Sequence, residues 1–442
     1  MKYEINKERL WIFSPVANVV IKAEITFKTD NDFEADTLKR AIDHAVNNNE
    51  VLKTKVVLEE DGKAYFIDTA KANYSIVEIG KDWPTIVKEQ EKIPFDIQNG
   101  EYLRFYIISN LRSDNETIAN IGTETVTLLI IAHHLAGDGI SFAYLLQDIM
   151  KAVNGEKLEK KPVGLFDLSS LPRGSKLGLL MSLMLKVMNK QWKKSEKLFT
   201  FEEFKEMNSE YWSRHSSYVT ICAFAGGTYN TLTAAAKNHS VSINSVITAA
   251  FIKAAYECGE KHAQDVGHAV SIREKGYSGM GNFATGISIK YLYNGSKNFW
   301  ENAKSVHKLI YKKLNDDKKK YFLLQFMGNI TGTLCDAVYF SAVAGYDNKT
   351  ALTFSKMFGY GGNPKGISIT NLTKLPIESI YGNYEITDIV VIPPLVLNAR
   401  RIIGIASLGN KMEISLSIED DISKDSNVEY FKKAMNILQS LE

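Results

Sequence analysis

The sequence predicts a mixed α/β protein built as two lobes, and three observations carry that expectation. The chain has 442 residues, more than one hydrophobic core usually serves. Alternating, β-branched stretches and stretches with helical spacing follow one another without a fixed period, which excludes a repeat architecture. From about 155 to 204 the composition turns Lys-rich with scattered Pro, Gly and Ser, which marks a connection between two comparably sized halves. The expected division is a first lobe at 1–160, a connection at 161–210 and a second lobe at 211–442.

The elements follow in order. "NVVIKAEITF" (Asn18 to Phe27) alternates and is rich in β-branched residues, so it reads as a strand. "DFEADTLKRAIDHAVNN" places acidic residues first and Leu38, Ala41, Ile42 and Val46 at helical spacing. Strands are expected at Leu52 to Leu58, Ala64 to Ile67, Leu103 to Ile108 and Thr125 to Ala132, and a helix from near Ile140. In the second half, "YVTICAFAG" reads as a strand. "SVSINSVITAAFIKAAYECG" reads as a buried helix, capped by Ser242 and stopped at Gly259. Further strands are expected at His268 to Ile272, Gly286 to Leu292, Gly366 to Thr370, Ile386 to Val391 and Met412 to Ile418. Helices are expected at Phe299 to Leu314, Tyr321 to Val343 and Val428 to Leu441.

Composition removes several functional classes. Hydrophobic residues are 45% and charged residues 24% of the chain, and the net charge is +2. That balance fits a soluble globular protein and gives no footprint for nucleic acid. Cys222, Cys258 and Cys335 are far apart and match no zinc or CxxC spacing, so no metal site is expected. Such sparse cysteines fit a reducing, cytoplasmic location. The N-terminus carries Glu4 and Glu8 and lacks a signal-peptide core. The segment "LGLLMSLMLKVM" (Leu177 to Met188) is too short to span a bilayer. It reads as a helix packed between the lobes, with peripheral membrane contact or a pocket cover as the alternative.

The densest chemistry lies in "LLIIAHHLAGDGISFAYLLQDIM", Leu128 to Met150. An apolar strand ends at His133 and His134, and a Gly-Asp-Gly turn opens an apolar helix. Strand alternation sends the two imidazoles to opposite faces, so they make a poor metal pair. If one is a base, the other is structural. A histidine at a strand end near a helix N-terminus suits a neutral general base, since the positive end of the helix dipole disfavours its charged form. Asp138 sits between Gly137 and Gly139, glycines that make the turn permissive, and has two inexpensive structural roles: capping the helix and pairing with an arginine.

The stretch "HHLAGDG" resembles the HHxxxDG motif of the condensation-domain and chloramphenicol-acetyltransferase-like acyltransferase superfamily. Other segments are similar in order along nearly the whole chain: "ERLWI", "EVLKTKVVLEEDGKAYF", "IPFDIQNGEYLRFYII", "VSIREKGYSGMGNFATGISI" and "ISITNL". The resemblance implies two chloramphenicol-acetyltransferase-like lobes in a V, with the motif on the channel between them. It also implies transfer of an acyl group from a coenzyme A or carrier-protein thioester to a hydroxyl or amine. His134 would be the general base, and His133 would pack. Asp138 would brace the loop against Arg273 of the other lobe, and amides around Gly139 would face the oxyanion. Asn282 and Asn371 would lie along the substrate channel.

The departures narrow the branch. The segment lacks the Asn-Thr continuation of peptide-synthetase condensation domains after "GNF", and "MFGYGGNP" (Met357 to Pro364) only echoes the Asp-Phe-Gly-Trp-Gly of plant-type acyltransferases. A free-standing monomeric acyltransferase similar to the alcohol-acetyltransferase and polyketide-associated branches is the expectation. Its thioester would be a substrate, with no permanently bound cofactor. The alternatives are an amide-forming condensation enzyme fed by a separate carrier protein, and a non-catalytic module that binds a carrier or partner.

Overall fold

The computed structural model describes residues 1–28, 35–109, 123–360, 365–419 and 424–441. Within them lie two six-stranded sheets and a small three-stranded one. The first large sheet runs in the order Ile380–Tyr381, Tyr384–Ile392, Asn18–Lys28, Thr123–His133, Glu101–Ser109, Asn73–Glu78. The second runs Ala284–Tyr291, Gln264–Ser271, Ile367–Lys374, Ile402–Leu408, Lys411–Glu419, Ser217–Ala225. Each sheet is mixed: Asn73–Glu78 lies parallel to Glu101–Ser109, and Ile367–Lys374 lies parallel to both its neighbours. The small sheet joins Lys2–Glu4, Ala64–Asp68 and Thr54–Leu58.

The strand Thr123–His133 is central, and its Leu128 to Ala132 are buried on both faces. That double burial explains the uninterrupted apolar run. The chain leaves the sheet at His133, and the helix Gly139–Val153 folds back with Phe142, Leu145, Leu146, Ile149 and Met150 inside the first core. In the second lobe the helix Ile243–Glu257 takes its N-cap from Ser242, whose side chain accepts from the Ser245 amide. Gly259, just past its end, stands at φ +92°, where a side chain is strained.

The lobe boundary departs from the sequence division. The strand Tyr384–Ile392, expected within the second lobe, is a member of the first sheet, paired along Val20 to Phe27. The helices Phe322–Met327 and Gly332–Val343 also pack in the first core. The reason is an edge: without Tyr384–Ile392, the apolar strand Asn18–Lys28 would leave a row of backbone groups unpaired. The expected single helix over Tyr321 to Val343 is broken at Gly328 to Thr331. Asn189 spans the break, donating to the Asn329 carbonyl at 2.9 Å and accepting from the Thr331 amide at 3.1 Å.

The fully buried strand Ile402–Leu408 has no counterpart in the sequence reading, because its "IIGIASL" shows no alternation. Leu52 and Lys53, expected in a strand, instead form a 3₁₀ turn before Thr54. The acidic lead of the first helix at 32–34 and the "GGNP" of "MFGYGGNP" lie outside the described residues.

The segment "LGLLMSLMLKVM" forms the helix Leu179–Trp192, but it is neither between the lobes nor over the cavity. Its Leu185, Met188 and Trp192 pack on the first core, and Trp192 Nε1 donates to Thr333 Oγ1 at 2.9 Å. No described helix is long and apolar enough to cross a membrane.

The two large sheets meet where Tyr384–Ile392 passes the second one. The Ser415 hydroxyl donates to the Val391 carbonyl at 2.8 Å, and a Cβ on Gly404 would stand 2.3 Å from that same oxygen. Beside this junction is a buried charge cluster. Lys22 pairs with Asp388 at 2.5 Å, while Lys411 pairs with Asp388 and, at 3.1 Å, with Glu413. Burial, reinforced by the hydrogen bond to Asp388, pushes the Glu413 carboxyl up to about 8. Burial also opposes ionisation of Asp388, but its hydrogen bonds to Glu413, Lys22 and Lys411 outweigh it and hold that carboxyl at about 2.

Glu413 therefore keeps its proton in the folded protein where the unfolded chain, with an ordinary value of 4.5, has lost it. A raised carboxyl contributes stability that is full below 4.5 and is lost as pH rises through about 8. Tm should fall across that window, and Glu413→Gln should flatten the fall. An unchanged slope in the variant would remove Glu413 as its source.

Candidate active site

A cavity of about 710 Å³ lies between the lobes. Leu10, Trp11, Val19, His134 and Tyr144 line it from the first lobe. The second sheet supplies Ser368 and Thr370, whose neighbours Ile367 and Ile369 point the other way into the second core. Leu323, Leu324 and Met327 close the apolar side.

The two histidines separate across the strand. His133 is buried, its Nδ1 accepts from the Leu135 amide at 3.2 Å, and its ring meets Phe95 edge-on at 5.7 Å. Burial, with the neighbouring His134 and Arg104 charges, pulls it down to about 3, so it is neutral. His134 is half-buried and opens on the cavity. Its ring lies flat on Trp11, 4.1 Å between centroids and 7° from parallel. Its backbone is fixed at both ends: the amide donates to the Ala17 carbonyl at 2.8 Å, and its carbonyl accepts from Asn282 Nδ2 at 2.8 Å. Nδ1 is buried and has no hydrogen-bond partner among the described residues, which leaves Nε2 as the nitrogen at the cavity.

Burial lowers the basicity of His134. Its own backbone carbonyl, Asp138 and Asn282 pull the other way, and the Lys7 ammonium adds to the lowering. Lys7 is itself buried, donating to the Asn282 carbonyl and standing 3.6 Å from Glu8. Burial lowers the Lys7 ammonium and raises the Glu8 carboxyl.

Asp138 does not touch the imidazole through any hydrogen bond among the described residues. It is the N-cap of Gly139–Val153, with Oδ1 accepting from the Ser141 amide at 2.8 Å. The same oxygen accepts from Arg273 Nη2 at 2.9 Å, and Oδ2 accepts from the Phe283 amide at 2.9 Å. Arg273 also donates from Nη1 to the Gly279 carbonyl at 2.6 Å, and its guanidinium lies 4.6 Å from the Phe283 ring centroid. One carboxylate thus ties the motif helix to a loop of the second lobe.

The motif glycines serve close approach. Neither Gly137 nor Gly139 has a positive φ, contrary to the expected permissive turn. A Cβ on Gly137 would stand 2.7 Å from Ser141 Cβ, and one on Gly139 would stand 3.0 Å from Leu372 of the second lobe. The Gly139 and Ile140 amides lie in the first helical turn, ahead of any intrahelical acceptor, and both residues line the cavity. Asn282 lines the cavity, but its amide nitrogen holds the motif loop. Asn371 also lines it, donating to Asn244 Oδ1 at 3.1 Å and accepting from the Thr373 amide at 2.7 Å.

Trp11, Lys7 and Glu8 are among the cavity residues that the sequence does not single out as candidates. "ERLWI" contributes only as a matching segment there, because a stacked indole has no spacing rule to announce it.

Residues 7–167 match the family model described as Condensation domain. A protein named as a nonribosomal peptide synthetase, CymA of Salinispora arenicola (strain CNS-205), is 22% identical over 161 residues. That alignment covers 35% of this chain and only 2% of the synthetase's length. Among solved structures, the TRI3 trichothecene 15-O-acetyltransferase of Fusarium sporotrichioides superposes with a TM-score of 0.66 at 11% identity, over 100% of this chain and 95% of that one. The condensation domain of the monacolin K polyketide synthase MokA gives 0.62 at 11% identity, over 99% and 97%. Polyketide synthase associated protein 5 of Mycobacterium tuberculosis gives 0.59 at 13%, over 100% and 97%. Residues 7–167 thus resemble a condensation domain, and along nearly its whole length the chain has the fold shared by condensation domains and the TRI3 acetyltransferase.

Proposed function

We propose that this protein transfers an acyl group from a coenzyme A or phosphopantetheine thioester to a hydroxyl or amine, with His134 as general base. The observation that carries the reading is the setting of one imidazole. It is stacked, pinned at its backbone, low in basicity, and presents Nε2 to a cavity walled by both lobes.

The acceptor's O–H or N–H gives its proton to Nε2 as its lone pair attacks the thioester carbonyl carbon. The new C–O or C–N bond leaves a tetrahedral oxyanion, towards which the first-turn amides of Gly139 and Ile140, two residues of the cavity wall, would donate. Collapse breaks the C–S bond, and the imidazolium returns the proton to the thiolate. Holding both substrates in one cavity supplies the rest of the acceleration. Asp138 and Arg273 act as positioning residues, since their hydrogen bonds go to the loop and to each other.

An amide-forming reaction with a carrier-bound donor is the second reading, favoured by the synthetase that residues of this chain match. Incubation with acyl-CoAs and with acylated carrier proteins, each with alcohols and amines, followed by thiol release and product mass, separates the two. Binding of a carrier protein without consumption of any donor would replace both readings with a non-catalytic module.

His134→Ala should lower kcat by about 10²- to 10⁴-fold while the protein stays folded; unchanged turnover would remove His134 from the mechanism. Because His134 loses its proton below the ordinary 6.5, kcat/KM should rise with pH through an apparent pKa under that value and be flat at neutrality. An inflection above 6.5 would contradict a neutral resting base. Arg273→Ala leaves Asp138 buried without its cation, at a cost of about 3–5 kcal/mol of stability by denaturant titration. A variant as stable as the parent would show that the pair does not brace the loop.

A further inference from the structure

The helix Leu179–Trp192 buries one side and leaves an apolar side uncovered. Leu179, Leu180, Leu183 and Val187 are 76%, 85%, 49% and 54% exposed. At helical spacing these four share one face, opposite the buried Leu185, Met188 and Trp192. One turn further on, the same face carries exposed Lys190, with Lys186 beside it, and exposed Lys194 follows in the turn after the helix.

Charge complementarity identifies what covers this face. From Leu168 to Ser195 the chain holds Arg173, Lys176, Lys186, Lys190, Lys193 and Lys194 and no Asp or Glu. The turn Arg173–Ser175 lies against the helices around 317–327, with Gln325 donating to Ser175 Oγ at 2.9 Å. There Asp316, which pairs with Lys319 at 2.8 Å, and the exposed Asp317 and Lys318 are followed by Phe322 and Leu323, which are 41% and 37% exposed. Leu323 also lines the cavity, so this surface reaches the wall of the candidate site.

A protruding ridge of leucines ringed by lysines is poorly matched to a protein partner, which would need a groove. A bilayer receives such a ridge directly: apolar tips enter the headgroup boundary while lysine stems carry their ammonium groups up to anionic headgroups. We propose that the helix Leu179–Trp192 seats this protein on anionic lipid bilayers, its leucines inserted and its lysines on the headgroups.

The test is sedimentation of the full chain with vesicles of phosphatidylcholine, with and without phosphatidylserine. Binding should require phosphatidylserine and weaken as salt is raised. The double variant L180E/L183E and the charge reversal K186E/K190E/K194E should each bind at least roughly tenfold more weakly. All these side chains are exposed, so thermal unfolding should match the parent and keep the comparison interpretable. Failure of the parent to sediment with phosphatidylserine vesicles would overturn the proposal, as would parental binding by both variants. Binding of a purified acidic carrier protein through these residues, with no vesicle binding, would overturn it in favour of protein docking.

Discussion

The site depends on where one carboxylate finds its donors. Asp138 is nearly sealed from water, and the groups that satisfy it come from both lobes: the Ser141 amide from its own helix, Arg273 and the Phe283 amide from the other half. A buried charge missing one of these partners is costly, so the lobes have one favoured relation at this point. His134 lies four residues earlier on the same loop, and its carbonyl is held by Asn282, next to Phe283. The geometry that closes the lobes and the geometry that aims the imidazole are therefore the same geometry.

Adjacent histidines illustrate how environment assigns chemistry. Both are deprotonated by burial. His133 spends its nitrogen on a backbone amide and its ring on Phe95. His134 has Trp11 beneath it and the cavity at its edge. The flat stack constrains ring rotation without using a nitrogen, which keeps Nε2 available for the proposed role as base. Lys7 and Glu8 stand 3.6 Å apart in the same wall, and the Lys7 ammonium adds a minor part to the lowering that burial imposes on the imidazole.

Much of this was legible before any coordinates. The apolar run, the paired histidines and the Gly-Asp-Gly turn locate the site because strand alternation and helix capping are local rules. Asp138 as a cap could be read directly. Its tie to Arg273, 135 residues away, came from family resemblance, since no local rule pairs residues at that distance. The glycines misled in kind: Gly137 and Gly139 avoid collisions with Ser141 and Leu372, and such contacts are invisible until the lobes are placed. The lobe boundary failed for a related reason. Tyr384–Ile392 has the alternation of a strand, but alternation does not say which sheet it joins.

That strand has a consequence for the order in which the protein is made. In the first sheet Asn18–Lys28 is paired with Tyr384–Ile392, a strand that follows it only after most of the second sheet has intervened in the sequence. A ribosome delivering residues from the N-terminus cannot offer the missing neighbour until four strands of the second sheet have already emerged. Until then an apolar edge stands open, and its closure spans a long loop, which makes pairing slow and exposes the nascent chain to association. The lobe that starts first thus waits on a strand made after four of the second sheet's six, and the site between the lobes cannot form before that strand arrives.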